Sequence, residues 1–376
     1  MTRVRAALPL ALAAGLALAA CSAKGASTAS SSTSTLPPLP KNVVALVSLA
    51  GSGADVGSGN EVVPITLPSG AGTGPSATGG SGSQAVGGKI RVGTYPDAIA
   101  ISPDGKTAYV ADYSSNSVVP VNLRTDRAGA PIPAGLGPAD IAISPDGKTA
   151  YVTDDGSSTT LGHTVTPIDL ATGRAEKAIV VGPGPQGIAI SPDGRTAWVA
   201  DAGAIVAGQR GPAGHTVTPI DLATGRAEKA IDVGNGPTGI AISPDGSTVF
   251  VTNLDSESVT PISTATRTAL PAIGVPGGPV AVVVEGGHAW VVDTPSSTHQ
   301  GNNVVAISLT GLRESPPTPV GKGAQDIAFT PDGKTAWVTC LTAGTIVPID
   351  AATRRAGVAI SVAGGPFAIA ITQIGS

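Results

Sequence analysis

The chain has 376 residues, 22 of them Lys or Arg and 26 Asp or Glu, for a formal charge of −4, and only 13% of residues are charged. With 51 Gly and 33 Pro, the composition calls for many turns and short strands and excludes a helical bundle or coiled coil. The acidic balance disfavours a general nucleic-acid binder, and the length suffices for one large domain or two smaller ones.

In chain order, Arg3 and Arg5 precede an apolar stretch from Ala6 to Ala20, too short for a stable membrane-spanning helix but suited to a secretory leader. Residues 1–20 are therefore read as a signal peptide. The stretch ends in Leu18-Ala19-Ala20-Cys21, which resembles the lipobox of bacterial lipoproteins. That resemblance implies that Cys21 is diacylated and becomes the mature N-terminus, holding the protein on the extracytoplasmic side of the cell membrane. With Cys21 lipidated, Cys340 has no disulfide partner. Loss of Arg3 and Arg5 leaves 22 − 2 = 20 basic against 26 acidic residues, a charge of −6.

Residues 21–40 form a Ser/Thr/Pro tether with nothing to bury, residues 68–89 are a low-complexity insert, and 41–376 is a repeat array. IAISPDGKTAYVAD at residue 99 returns at 141, 188, 240 and 327, with a turn-altered copy at 280. The turn residues Asp104, Asp146, Asp193 and Asp245 are 42, 47 and 52 residues apart, a period that points to a propeller or solenoid. Each unit carries four strand signals. Strand A is the IAIS run after a Gly-x-x-Pro-like approach, and strand B is TAYVAD. Strand C is a VxPI run, and strand D is a short KAIVVG-type run.

The chain begins with a strand B lacking its A, NVVALVSLAG, and ends with a strand A lacking its B, GPFAIAIT. Counting that shared unit once predicts an all-β fold: a closed seven-bladed β-propeller of four-stranded antiparallel blades, its first blade joining both termini, with no exposed sheet edge. One strand-B position holds Tyr109, Tyr151, Trp198, Phe250, Trp290 and Trp337, which reads as blade-to-blade packing. The Pro of strand C removes a ladder donor, so a local bulge is expected there.

TAYVAD, TAYVTD and TVFVTN, with the Pro-Asp-Gly turn and the VxPID strand, resemble the YVTN β-propeller repeats of exported bacterial and archaeal proteins over essentially all of 41–374. The resemblance implies the fold but little about activity, because such propellers include relatives of lactonases, surface-layer proteins and propellers that bind DNA.

In a propeller, A–B and C–D turns share one face, and B–C loops and D–A connections share the other. The turn face is expected to be basic, with Lys106, Lys148, Arg174, Arg195, Arg226 and Lys334, and to lie toward an anionic membrane. The B–C loops vary in length, being extended in the third and fourth blades and also long in the first and sixth, and variable loops on a rigid scaffold are where binding sits. That face is expected to be acidic, with Arg210 and Lys322 almost its only cations, and to suit a cation or basic partner. Its candidate ligand-binding residues are Asp97, Asp140 and Asp326, followed by Asp112, Asp154, Asp201 and Asp293.

Two GxGxxG matches, at Gly182 and Gly234, lead into strands rather than helices, so the dinucleotide reading fails. His163 and His215 open equivalent strands of adjacent blades, too far apart for shared ligation at about 2 Å per bond. His288 lies in a turn and His299 in a loop. The sequence thus predicts a monomeric membrane-anchored binding or scaffold propeller with no obligatory cofactor, its loop face taking a protein or small ligand. The alternatives are a lactonase-like hydrolase with a divalent cation held by Asp97, Asp140 and Asp326 at the channel mouth, and a DNA-binding propeller using its turn face.

Overall fold

A computed structural model of the chain describes residues 43–51, 59–67, 86–157, 159–206, 209–295 and 301–374, and side chains outside 204–213. The expected signal peptide, the tether and Cys21 lie outside the described residues, as do most of the 68–89 insert, His299 and the Arg210 side chain.

Seven antiparallel sheets follow the expected A-B-C-D order. Blade 1 unites Val43–Leu49, Glu61–Thr66 and Ile90–Arg91 with Pro366–Gln373 from the other end of the chain. The ladder between the two ends runs from Val43 opposite Gln373 to Leu49 opposite Pro366. Closure therefore gives blade 1 its inner strand A from the far end of the chain. Blade 2 shows the general pattern: Pro96–Ile101, Thr107–Asp112, Ser117–Asn122, and a divided outer strand, Arg127–Ala128 and Ile132–Pro133. Among the described residues the only helical element is a 3-10 turn at Tyr113–Ser115.

Seven apolar clusters lie one at each blade boundary. A twisted four-stranded sheet cannot cover both of its faces alone, so each blade buries its surface on its neighbours. The repeated strand-B aromatics take part in six of these clusters, and in blade 1 Leu46 fills the place, 1% exposed. Trp198, Trp290 and Trp337 are each 2% exposed, which makes them packing groups rather than a stacking platform.

The bulge expected at the strand-C proline does not form. Tyr109 pairs with Pro120, Tyr151 with Pro167 and Trp198 with Pro219, with no shift of the B–C register at the proline. The reason is orientation: the Pro120 carbonyl accepts a bond from the Gly129 amide at 2.7 Å on the strand-D side, so the missing N–H also faces strand D. Strand D is divided at that level, and no ladder bond is lost.

The long B–C segments of blades 3 and 4 are not irregular loops but extensions of the hairpin. In blade 4 the two strands run 11 and 13 residues, Thr196–Val206 and Gln209–Asp221.

Candidate functional site

In every blade the A–B ladder slips at the start of strand A. The shifts fall between Pro96 and Ala98, Pro185 and Ile188, Pro237 and Ile240, Pro279 and Ala281, and Ala324 and Ile327. Blades 3 and 1 slip opposite Thr153/Asp154 and Val47/Leu49. A bulge turns the extra residue away from the ladder. The residues at and beside these bulges line a central cavity of about 310 Å³, and they include Asp97, Asp140, Gln186, Thr238, Asp326 and Phe367. The three carboxylates of the metal-site reading therefore share one cavity, but their surroundings differ.

Asp140 and Asp326 are fastened to backbone. Asp140 Oδ1 accepts the Ile141 amide at 2.8 Å, and Oδ2 accepts the Ile188 amide of the next blade at 2.9 Å. Asp326 does the same with Ile327 and Ile369, both at 2.8 Å. Beside each, a strand-B threonine completes the link. Thr153 Oγ1 accepts the Asp140 amide and donates to the Gln186 carbonyl, and Thr339 acts likewise between Asp326 and Phe367. Burial pushes Asp140 up to about 7 and Asp326 up to about 6, with the amide bonds opposing the shift.

Asp97 is different. It is 9% exposed, lines the cavity, and has no hydrogen-bond or ion-pair partner among the described residues. Burial holds its carboxyl well above the usual carboxylate range, and the nearby Asp155 and Asp140 push it further. Asp155, from the extended blade-3 hairpin, is pushed up to about 6 by burial, while bonds from the Gln186 and Tyr113 side chains counter that shift.

Tyr95 borders this acidic group. The same repeat position carries Gly137, Gly184, Gly236, Gly323 and Gly365, all at positive φ between 59° and 73°. Tyr95 adopts φ 57° there, a left-handed conformation that costs a side-chain-bearing residue on the order of 1 kcal/mol. Its ring is 1% exposed and packs on Tyr113 and Phe367 at centroid distances of 5.9 Å. Its hydroxyl is buried without a partner, beside Asp97 and Tyr113.

The remaining candidates lie elsewhere. Asp112, Asp154, Asp201 and Asp293 hold the same repeat position of strand B in four different blades, are at most 1% exposed, and do not line the central cavity. Thr164 and Thr166 both donate to Asp154 Oδ2 at 2.7 Å, Thr216 and Thr218 donate to Asp201, and the Asn303 amide donates to Asp293 at 2.8 Å. A Cβ on Gly135 or Gly182 would overlap the Asp154 or Asp201 carboxyl. The first glycine of the D–A approach is thus required by the close passage of that aspartate. Burial pushes Asp112 to about 7 and the other three to about 6. Asp293 also borders a second cavity of about 430 Å³ beside Glu314, Pro316 and Pro317.

Among the described residues no group of three or more His, Cys, Asp or Glu side chains is arranged to hold a metal ion. The turn face is mixed rather than uniformly basic. In two blades the turn aspartate sits beside the turn cation, Lys106 at 3.2 Å from Asp104 and Lys148 at 3.4 Å from Asp146, and Arg267 pairs with Glu228 while covering the Trp198 ring.

No protein-family model matches this chain, and no curated protein matches it. Solved structures do resemble it in fold. A protein of unknown function from Desulfotomaculum acetoxidans superposes with a TM-score of 0.68 at 16% identity, over 89% of this chain and 99% of that one. A 6-phosphogluconolactonase-like protein from Bacteroides fragilis gives 0.64 at 15% identity, over 88% and 98%. Hydrazine synthase from Kuenenia stuttgartiensis gives 0.63 at 21% identity, over 74% and 95%. At these identities the likeness concerns the propeller alone.

Proposed function

We propose that the protein is an exported, lipid-anchored YVTN-type propeller that works as a monomeric binding module, with Cys21 as its anchor and the loop-face mouth of the central channel as its binding site. One observation carries the reading: Asp97 is turned into the cavity by a bulge, close to two other carboxylates, without a cation or a hydrogen-bond donor to offset its burial. Burying an unpaired acid is costly, and a position that retains one where Gln186, Thr238 and Gln325 stand in other blades is held for something other than packing.

The hydrolase alternative would use the same cavity, but two of its three carboxylates are already committed to amides of the neighbouring blade. The DNA-binding alternative would need a positive turn face, and aspartates pair with two of the cations there, Lys106 and Lys148. A thermal-shift screen of small ligands and cations on the full chain, run in parallel on Asp97→Gln, tests the reading. Ligands that stabilise the wild type and leave D97Q unmoved support it; ligands that stabilise both equally refute it. Metabolic labelling with an alkyne fatty acid tests the anchor, and label retained in Cys21→Ala would refute it.

A further inference from the structure

Two kinds of group surround Asp97, which lines the cavity together with Asp140 and Phe367. Asp155 and Asp140 are close enough to raise the cost of its charge. The Tyr95 ring beside it is in edge or tilted contact with Tyr113 and Phe367. From this arrangement we infer that the site takes an alkylammonium group, held by Asp97 in the cavity that Phe367 also lines. The inference rests on the binding-module reading and adds the class of ligand.

Three observations support that class. First, no Lys or Arg side chain among the described residues pairs with these acids, so the positive charge that would balance them is left to come from outside. Second, the donor set suits an organic cation better than a metal ion, because the acids are not grouped for coordination and the lining includes an aromatic ring, Phe367, of a kind that attracts a soft, partly desolvated charge. Third, the Tyr95 hydroxyl is a buried polar atom with no partner, beside an acid that also has none. An ammonium N–H donated to Asp97 would hold that carboxylate charged, and the buried Tyr95 hydroxyl beside it would then have an ionised acceptor. The left-handed backbone at Tyr95, where other blades have glycine, marks a side chain kept at a conformational cost.

An alkylammonium can arrive as a free amine or as a lysine side chain of a protein, and both use the same chemistry. The test is calorimetric titration of the full chain with n-pentylammonium and with a Gly-Lys-Gly peptide. Neutral n-pentanol and the Nε-acetylated peptide serve as controls, with Ca²⁺ as a competing cation. Saturable binding of either ammonium probe, silent for its neutral control and weakened about tenfold or more in Asp97→Gln and in Tyr95→Phe, is the expected result. The probe that binds more tightly identifies the source. Both variants preserve packing: Gln occurs natively at this place in blades 4 and 7, and the Phe removes only the unpartnered hydroxyl. Ammonium binding unchanged in both variants overturns the inference. Ca²⁺ binding lost in D97Q, without ammonium binding, overturns the ligand class and leaves the site standing. Silence of every probe removes both.

Discussion

The Asp140 carboxylate accepts the amide of Ile188 across a blade boundary at 2.9 Å while its other oxygen holds the amide of Ile141. A carboxylate in that position is a link between inner strands. Asp140→Ala should destabilise the propeller by about 2–3 kcal/mol, since two charge-assisted bonds are lost and a buried N–H is orphaned. Asp326→Ala should behave alike, because Ile369 is held the same way. Chemical denaturation curves measure this, and a loss under about 0.5 kcal/mol in both would show that the links carry no stability.

Asp97 and Tyr95 should respond in the opposite sense. Asp97→Gln removes a buried acid crowded by Asp155 and Asp140, and Tyr95→Phe removes a buried hydroxyl without a partner. Both variants should melt at higher temperature than the wild type, as expected where a site is maintained at the expense of stability. Differential scanning calorimetry checks it; a lower melting temperature in both would mean that these groups are structural.

Acid should stabilise the fold over a defined window. Asp112, Asp154, Asp201 and Asp293 have folded-state pKa values pushed up to about 6–7 by burial, against about 3.9 in an unfolded chain. A raised carboxyl binds more protons folded than unfolded, so its contribution is full below the unfolded value and is lost as pH rises through the folded one. The melting temperature should therefore rise as pH falls from 8 to 5. The turn residues Asp104, Asp146, Asp193 and Asp245, held below the usual range by serine hydroxyls and backbone amides, act in the other direction only at lower pH. A melting temperature that fell between pH 8 and 5 would contradict the assignment.

Much of this architecture is legible in the sequence, because five of the seven blades repeat the same turn, aromatic and proline. The pairing of Val43–Leu49 with Pro366–Gln373 follows from two half-units that complete each other. What strand periodicity does not show is the bulge at the start of strand A, which decides whether Asp97 and Asp140 face the channel. Nor does it show that the Pro120 nitrogen faces a divided outer strand, which is why a bulge was expected in strand C. Tyr95, Tyr113 and Gln186 escape a search for catalytic motifs. Tyr95 nevertheless leaves a signal, since it stands where Gly137, Gly184, Gly236, Gly323 and Gly365 stand. Asp154, Asp201 and Asp293 look like part of a ring of loop-face acids until their threonine and asparagine partners are seen, whereas the buried Asp112 carboxyl has no such side-chain partner.

The strand-C proline supplies an independent check on the sheet geometry. Pro167→Ala should change stability by no more than about 1 kcal/mol, because the restored N–H faces strand D, where no ladder acceptor is lost or gained. Equilibrium unfolding of the variant measures it, and a loss of about 3 kcal/mol would show that the proline itself shapes the strand.

The claim on which the account turns is that ligand binds at the loop-face mouth of the channel, around Asp97. Hydrogen–deuterium exchange of the full chain with and without saturating n-pentylammonium tests it most directly. Protection is predicted at residues 94–98, 113–116 and 154–157, with the turns at 103–106 and 145–148 unchanged. Protection confined to those turns would contradict it.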